Sequence, residues 1–157
     1  METIQIDFDP ERINYTQLLQ VFFSSHNPTR PSTIRQYASA IFYHDEEQKR
    51  YARRAMDEAA GKYGKDVSTE LLSYTNFTRA EDYHQKYYLR NTRDIMKQYK
   101  GLFPGEDAFT DSTAVARVNG YIGGNGTTDQ LNREKGKLGI SEEAVEALRK
   151  ILGKKGK

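Results

Sequence analysis

The chain has 157 residues, with 24 Lys plus Arg against 22 Asp plus Glu and a formal net charge of +2. It has no Cys, so these residues hold no disulfide, thiolate metal site, iron–sulfur cluster or cysteine nucleophile. Near-balanced charge sets aside a general nucleic-acid binder, which carries a concentrated basic excess, and a mean hydropathy of −0.85 with no apolar run of bilayer length predicts no membrane insertion.

The chain is long enough to bury a core without disulfides or metal. Its start, Met1 to Asp7, has the pattern of neither a signal peptide nor an Arg-rich transit peptide, so no targeting segment is visible and the compartment is unknown. Ile4, Ile6 and Phe8 alternate with Gln5 and Asp7, which predicts a half-buried strand ended by Asp9-Pro10. Asn14 then caps a helix, with Gln17 as capping-box partner and Leu18, Leu19, Phe22 and Phe23 as its apolar stripe. Ser24 to Pro31 is a loop. Ala38 to Tyr43 is short, apolar and aromatic, and predicts a buried strand. Asp45 opens a second helix, with Gln48 as capping partner, Ala52, Ala55, Met56 and Ala59 at helical spacing, and Gly64 as its stop.

Val67 to Tyr74 predicts a third strand, Ala80 to Asn91 a tyrosine-rich helix, and Thr92 to Tyr99 a further helical piece. Strand and helix thus alternate three times over residues 1–91, an α/β pattern. Beyond residue 100 the character changes. Ser112 caps a short helix through Val118, and the cluster Gly120, Gly123, Gly124 and Gly126 predicts a helix stop and a turn. It lacks the Gly-Lys-Ser/Thr ending of a phosphate loop. Ser141-Glu142-Glu143 opens a last helix with Val145, Leu148, Ile151 and Leu152 on one face, followed by a frayed basic end from Gly153 to Lys157.

Few residues invite chemistry. His26, His44 and His84 lie far apart with no metal-ligand spacing, so no metal is expected, and there is no nucleophile elbow. Tyrosine is abundant, eleven in all, and a buried tyrosine hydroxyl seeks a partner. Grouped hydroxyls can bind a polar oxygen such as that of a sulfoxide or amide; ordinary packing aromatics are the other reading.

Several stretches acquire meaning together. They are Glu2 to Pro10, Ile13-Asn14-Tyr15 with Leu18-Leu19, Phe22-Phe23 with His26-Asn27-Pro28-Thr29, Gln36 to Phe42, Glu47-Gln48, and Ala80 to Leu89. In order and spacing they resemble the later half of the peptide methionine sulfoxide reductase A family over roughly residues 2–91. The resemblance implies a two-layer α/β sandwich, incomplete here, with residues 92–157 as a helical C-terminal extension. It implies reduction of the S epimer of methionine sulfoxide, in which a cysteine thiolate attacks sulfur and a carboxylic acid protonates the departing oxygen. By this resemblance Glu2 falls at the acid position and Tyr37 at a tyrosine that hydrogen-bonds the sulfoxide oxygen. Tyr83, His84 and Tyr87 fall in a supporting, binding role. No cofactor is implied, and thioredoxin is a partner only of a complete enzyme.

The departures from the family are large. Its Gly-Cys-Phe-Trp motif, expected before the first strand, is absent, and Ser32 and Ile34 stand where the family often carries Asp and Gly. Two expectations follow. One is a reductase whose nucleophilic part is missing and which is inactive as it stands. The other is a non-catalytic reductase-like subunit of a larger assembly. In either case the faces of Phe22, Phe23 and Ala40 to Phe42 lack a cover and call for a protein partner.

Overall fold

The computed structural model describes residues 1–155 and divides into two units, Met1–Thr78 and Arg79–Lys157. Among the described residues no helix is long and apolar enough to cross a membrane.

The first unit is a small helix-flanked sheet. Helix α1 (Tyr15–Ser24) begins at a full capping box: Asn14 Oδ1 accepts the Gln17 N–H and Gln17 Oε1 accepts the Asn14 N–H, both at 2.9 Å. Reciprocal bonding of this kind satisfies two donors that a helix start leaves orphaned. Strand β1 (Ala40–Tyr43) leads into helix α2 (Glu46–Tyr63) and then strand β2 (Glu70–Ser73). The strands pair in parallel with Ile41 beside Leu71 and Phe42 beside Leu72, which requires the crossover that α2 supplies. Asp45 caps α2 through the Gln48 N–H at 2.7 Å. The Gln48 side chain reaches back to the N–H of His44, one residue beyond the position that would close a box. Gly64 ends α2 at φ +63°, a left-handed position that glycine adopts without a Cβ penalty.

One face of this sheet is packed. Leu19, Phe23, Ile41, Ala52 and Ala59 are buried together, with Leu71 and Val67 against them. Small Ala52 and Ala59, seven residues apart on one side of α2, belong to this core. Phe23 therefore has a cover, contrary to expectation, because α2 packs with α1 over it. Phe42 and Leu72 are only half-buried; alternation along the strands puts them on the other face.

The expected strand at Ile4 to Phe8 does not form. Period-two alternation describes which side chains share a face, but a strand also needs a hydrogen-bonding neighbour. The sheet contains β1 and β2 alone, and Ile4 is 83% exposed.

The second unit is helical: α3 (Tyr87–Arg90), α4 (Arg93–Tyr99), α5 (Glu106–Asp111), α6 (Thr113–Ile122), α7 (Thr128–Glu134) and α8 (Glu142–Lys155). Among the described residues its core gathers thirteen buried side chains, including Leu89, Val115, Val118, Leu131, Leu138 and Leu148. The Tyr99 hydroxyl donates to the Leu138 carbonyl at 2.6 Å, and that of Tyr121 to Glu134 Oε2 at 2.8 Å. Ser112 caps α6 as expected. The glycine cluster is a helix stop and turn, with Gly124 at φ +78° and Gly126 at φ +92°. Helix α8 continues past Gly153 to Lys155; the rest of the expected basic end, residues 156–157, lies outside the described residues.

The predicted helix from Ala80 to Asn91 shrinks to the single turn of α3. Lys86 sits at φ +53°. The Gln85 carbonyl, which a continuous helix would give to the Leu89 N–H, accepts instead from Arg90 Nε at 2.8 Å. The Leu89 N–H goes to Asn119 Oδ1 at 3.1 Å. Side chains thus replace the helical ladder at this point, and local helical preference gives way to packing on α6.

Candidate functional site

The residues expected to carry chemistry fall into two groups, one in each unit. In the first unit, the Glu2 N–H donates to the Gln36 carbonyl at 3.0 Å. The Gln36 side-chain amide donates back to Glu2 Oε1 at 2.5 Å. Backbone and carboxylate are therefore both tied to the residue that precedes Tyr37. Tyr37 ends a 3₁₀ turn, Arg35–Tyr37, with its N–H on the Ile34 carbonyl at 3.0 Å and its side chain 59% exposed. Beside it Arg35 forms an ion pair with Glu70 at the start of β2.

In the second unit, the rings of Tyr83 and His84 lie 4.3 Å apart, tilted. The His84 N–H donates to the Glu81 carbonyl at 2.9 Å, and His84 Nε2 is 3.9 Å from Glu81 Oε2. Tyr87 opens α3 with its ring edge-on to Tyr88 at 6.0 Å. All three are exposed. Burial lowers the affinity of neighbouring Lys86 for its proton, offset in part by Asp111.

The His26-Asn27-Pro28-Thr29 stretch has a structural task. Asn27 Oδ1 accepts from both the N–H and the hydroxyl of Thr29, at 3.1 and 2.9 Å. This is a local turn of the kind Asn favours. Pro28 is fully buried, and its carbonyl accepts the Ser68 N–H at 2.7 Å. His26 Nε2 lies 3.1 Å from Ser39 Oγ, which lies 3.0 Å from buried Thr69 Oγ1. This polar chain clamps the loop after α1 to the approaches of both strands, and so sets where Arg35, Gln36 and Tyr37 stand. The Ser32 loop closes on itself, with Ser32 Oγ donating to the Ile34 carbonyl at 2.9 Å and accepting the Ile34 N–H at 3.2 Å.

Sequence reasoning missed Gln36 as the partner of Glu2. Nothing local signals a bond between residues 34 positions apart. It also missed the His26–Ser39–Thr69 chain, although each residue is an ordinary hydrogen-bonding type. Among the described residues no three His, Cys, Asp or Glu side chains gather closely enough to hold a metal ion.

Comparison with known proteins gives this geometry a context. Residues 1–116 match the sequence model of the family described as peptide methionine sulfoxide reductase. A peptide methionine sulfoxide reductase of Drosophila melanogaster is 36% identical over 142 residues, covering 89% of this chain and 56% of that protein. The MsrA enzyme of Thermus thermophilus is 45% identical over 95 residues, 57% of this chain and 54% of its own. That of Sulfolobus acidocaldarius is 45% identical over 92 residues, 55% of this chain and 52% of its own. The chain spans about half the length of the curated relatives it matches, and the match to the family model runs well past residue 91. The α/β architecture, rich in helix around a parallel pair of strands, agrees with the class expected from the sequence. With a family model matching from residue 1 to residue 116 and relatives agreeing across both units, this chain belongs to the peptide methionine sulfoxide reductase family.

Proposed function

We propose that these residues form the acid-and-tyrosine part of a peptide-methionine (S)-S-oxide reductase built on the family's two-layer α/β sandwich. The observation that carries the reading is the double tie of Glu2 to Gln36, beside Tyr37. Gln36 is the chain neighbour of Tyr37, and the family resemblance assigns Glu2 and Tyr37 to the sulfoxide oxygen, so the tie supports reading them as one site.

In the reaction a cysteine thiolate attacks the sulfoxide sulfur, and the sulfur–oxygen bond of the substrate breaks. The methionine sulfur gains two electrons and leaves as a thioether. The oxygen, protonated as it leaves, passes to the cysteine sulfur, which loses two electrons and becomes a sulfenic acid; thiols later reduce it, releasing the oxygen as water and leaving a disulfide. Glu2 supplies the proton to the oxygen and Tyr37 donates a hydrogen bond to it; general acid help of this kind contributes about 10²–10⁴-fold. The chain is cysteine-free, so the thiolate comes from outside these 157 residues. Its bearer is a polypeptide that also covers the apolar side chains of the first unit.

A second reading has its own observation. In the first unit Ile4, Val21 and Ile34 are 83%, 61% and 53% exposed, apolar surface that a partner chain could cover. In that reading the unit docks on another chain as a structural subunit without chemistry.

The purified chain is expected to leave methionine-S-sulfoxide unreduced with dithiothreitol or thioredoxin; turnover above the reagent background overturns this. Mixed with a family fragment bearing the Gly-Cys-Phe-Trp stretch, it is expected to gain activity, and Glu2→Gln is expected to reduce that activity at least about 10²-fold. Activity indifferent to Glu2→Gln removes the acid role. Association without turnover favours the structural subunit.

A further inference from the structure

The second unit contains a cavity that the sulfoxide chemistry does not use. In sequence, Arg90, Arg93, Lys97 and Lys100 follow one another at spacings of three, four and three, the rhythm of one helical face. In the structure all four line a single cavity of about 570 Å³, against one lining carboxylate, Glu106. That volume lies within the range of ligand pockets.

The four cations differ in what already answers them. Arg90 is engaged: its guanidinium lies 4.8 Å from the centre of the Phe109 ring, pairs with Glu106 and donates to the Gln85 carbonyl. Lys97 meets Asp94 at 3.6 Å, an open pair on an exposed surface and so a weak one. Asp107, the other acid at the start of α5, is taken up by Arg79. Arg93 and Lys100 have no carboxylate partner among the described residues. They sit at the two ends of α4, seven residues or about 10 Å apart along a helix. Carboxylates three residues apart on a polyproline II segment share one edge and lie about 9 Å apart, close to that distance. The lining also holds half-buried Met96 and Phe103 as apolar surface, with Lys97 beside them.

Base stacking needs an open ring face; of the three rings in the lining, Tyr99 and Phe109 are only 3% and 5% exposed, and Phe103 is half-buried.

We propose that this cavity docks an acidic segment of a partner polypeptide. Two carboxylates about three residues apart engage Arg93 and Lys100, and an apolar side chain between them enters over Met96 and Phe103. The inference rests on the second unit alone and stands or falls independently of the reductase reading.

The test is fluorescence anisotropy of the full chain with a fluorescein-labelled peptide of four Asp-Leu-Ser repeats, at low and moderate salt. Saturable binding that weakens with salt is expected, with at least a tenfold loss when asparagine replaces aspartate in the peptide. Arg93→Glu with Lys100→Glu, both at exposed positions, is expected to cost at least tenfold with an unchanged circular dichroism spectrum. The asparagine peptide keeps the test decisive should that double variant misfold. Failure of the aspartate peptide to saturate, equal binding of the asparagine peptide, or tighter binding of oligothymidylate overturns the proposal.

Discussion

The two units of this chain are nearly equal in length and unlike in how they are closed. The first has five buried apolar residues in its core, the second thirteen among its described residues. The first leaves Met1, Ile4, Ile6, Val21, Ile34, Tyr37, Tyr63, Tyr74 and Phe77 exposed; the second, among its described residues, exposes Tyr83, Tyr87, Tyr88 and Leu102. A two-stranded sheet is marginal by itself and gains stability from further strands or from elements packed on its faces. Here α1 and α2 serve one face, and Phe42 and Leu72 remain half-open. The residues with the clearest family assignment, Glu2 and Tyr37, thus stand on the less self-sufficient unit. The helical unit pairs the hydroxyls of Tyr99 and Tyr121 and leaves one buried hydroxyl among its described residues, that of Thr110, without a hydrogen-bond partner.

The strongest challenge to that contrast is core truncation. Leu148 is 0% exposed within the helical core, and Leu19 is 3% exposed in the smaller one. Leucine-to-alanine changes cost roughly 2–5 kcal/mol, and least where the surroundings collapse into the space. Leu148→Ala is expected near the upper end of that range and Leu19→Ala near the lower, read by urea denaturation followed by amide exchange in each unit. Equal losses would mean that the sheet unit is as tightly packed as the helical one.

Alkaline pH attacks the helical unit where it is most complete. Burial pushes the Tyr99 hydroxyl up to about 12 from 10.0. Burial and the bond to Glu134 push Tyr121 up as well. A raised folded value means that the folded state holds the proton more tightly. The stabilisation is complete below pH 10 and fades as pH climbs through 12, roughly 2–3 kcal/mol for Tyr99. Burial raises Tyr15 of the sheet unit in the same direction, with help from Asp45. Tyrosinate absorbance and amide exchange between about pH 9 and 12 are expected to show the helical unit losing more protection. Tyr99→Phe is expected to flatten part of that loss, with Tyr121 carrying the remainder, and a pH dependence unchanged in Tyr99→Phe would assign it to other groups.

How much of this was legible beforehand follows from the range of each interaction. The starts of α1, α2 and α6 could be read from Asn14, Asp45 and Ser112 because a cap acts within three residues. The strand at Ile4 to Phe8 was misjudged because alternation says nothing about a neighbour. The helix over Ala80 to Asn91 was misjudged because its break at Lys86 is sustained by Asn119, far along the chain. The short helices α5 and α7 were not seen, having too few turns to show a period. At the site, the roles of Glu2 and Tyr37 came through family resemblance, while their connection through Gln36 depends on a loop closure that no local pattern encodes. The basic rim at residues 90–100 was visible as spacing but was passed over, since its charges gain meaning only when α3 and α4 bring them to one cavity.

The smallest expected effects separate the two units at their glycines. Gly64 and Gly126 both hold left-handed backbone, at φ +63° and +92°. An alanine at either carries the left-handed penalty, about 1–2 kcal/mol. At Gly64 an added Cβ meets nothing within 4 Å, so Gly64→Ala is expected to show the backbone cost alone, about 1 kcal/mol. At Gly126 the same Cβ would lie 2.8 Å from Cε1 of Tyr121, whose ring is 3% exposed and whose hydroxyl is held by Glu134. That ring yields only by giving up its bond or its packing, so Gly126→Ala is expected to cost about 1 kcal/mol more than Gly64→Ala. Thermal melts of the two variants make the comparison. Equal shifts would show that Tyr121 moves aside freely, and that the helical unit is looser around its last turn than its buried hydroxyls imply.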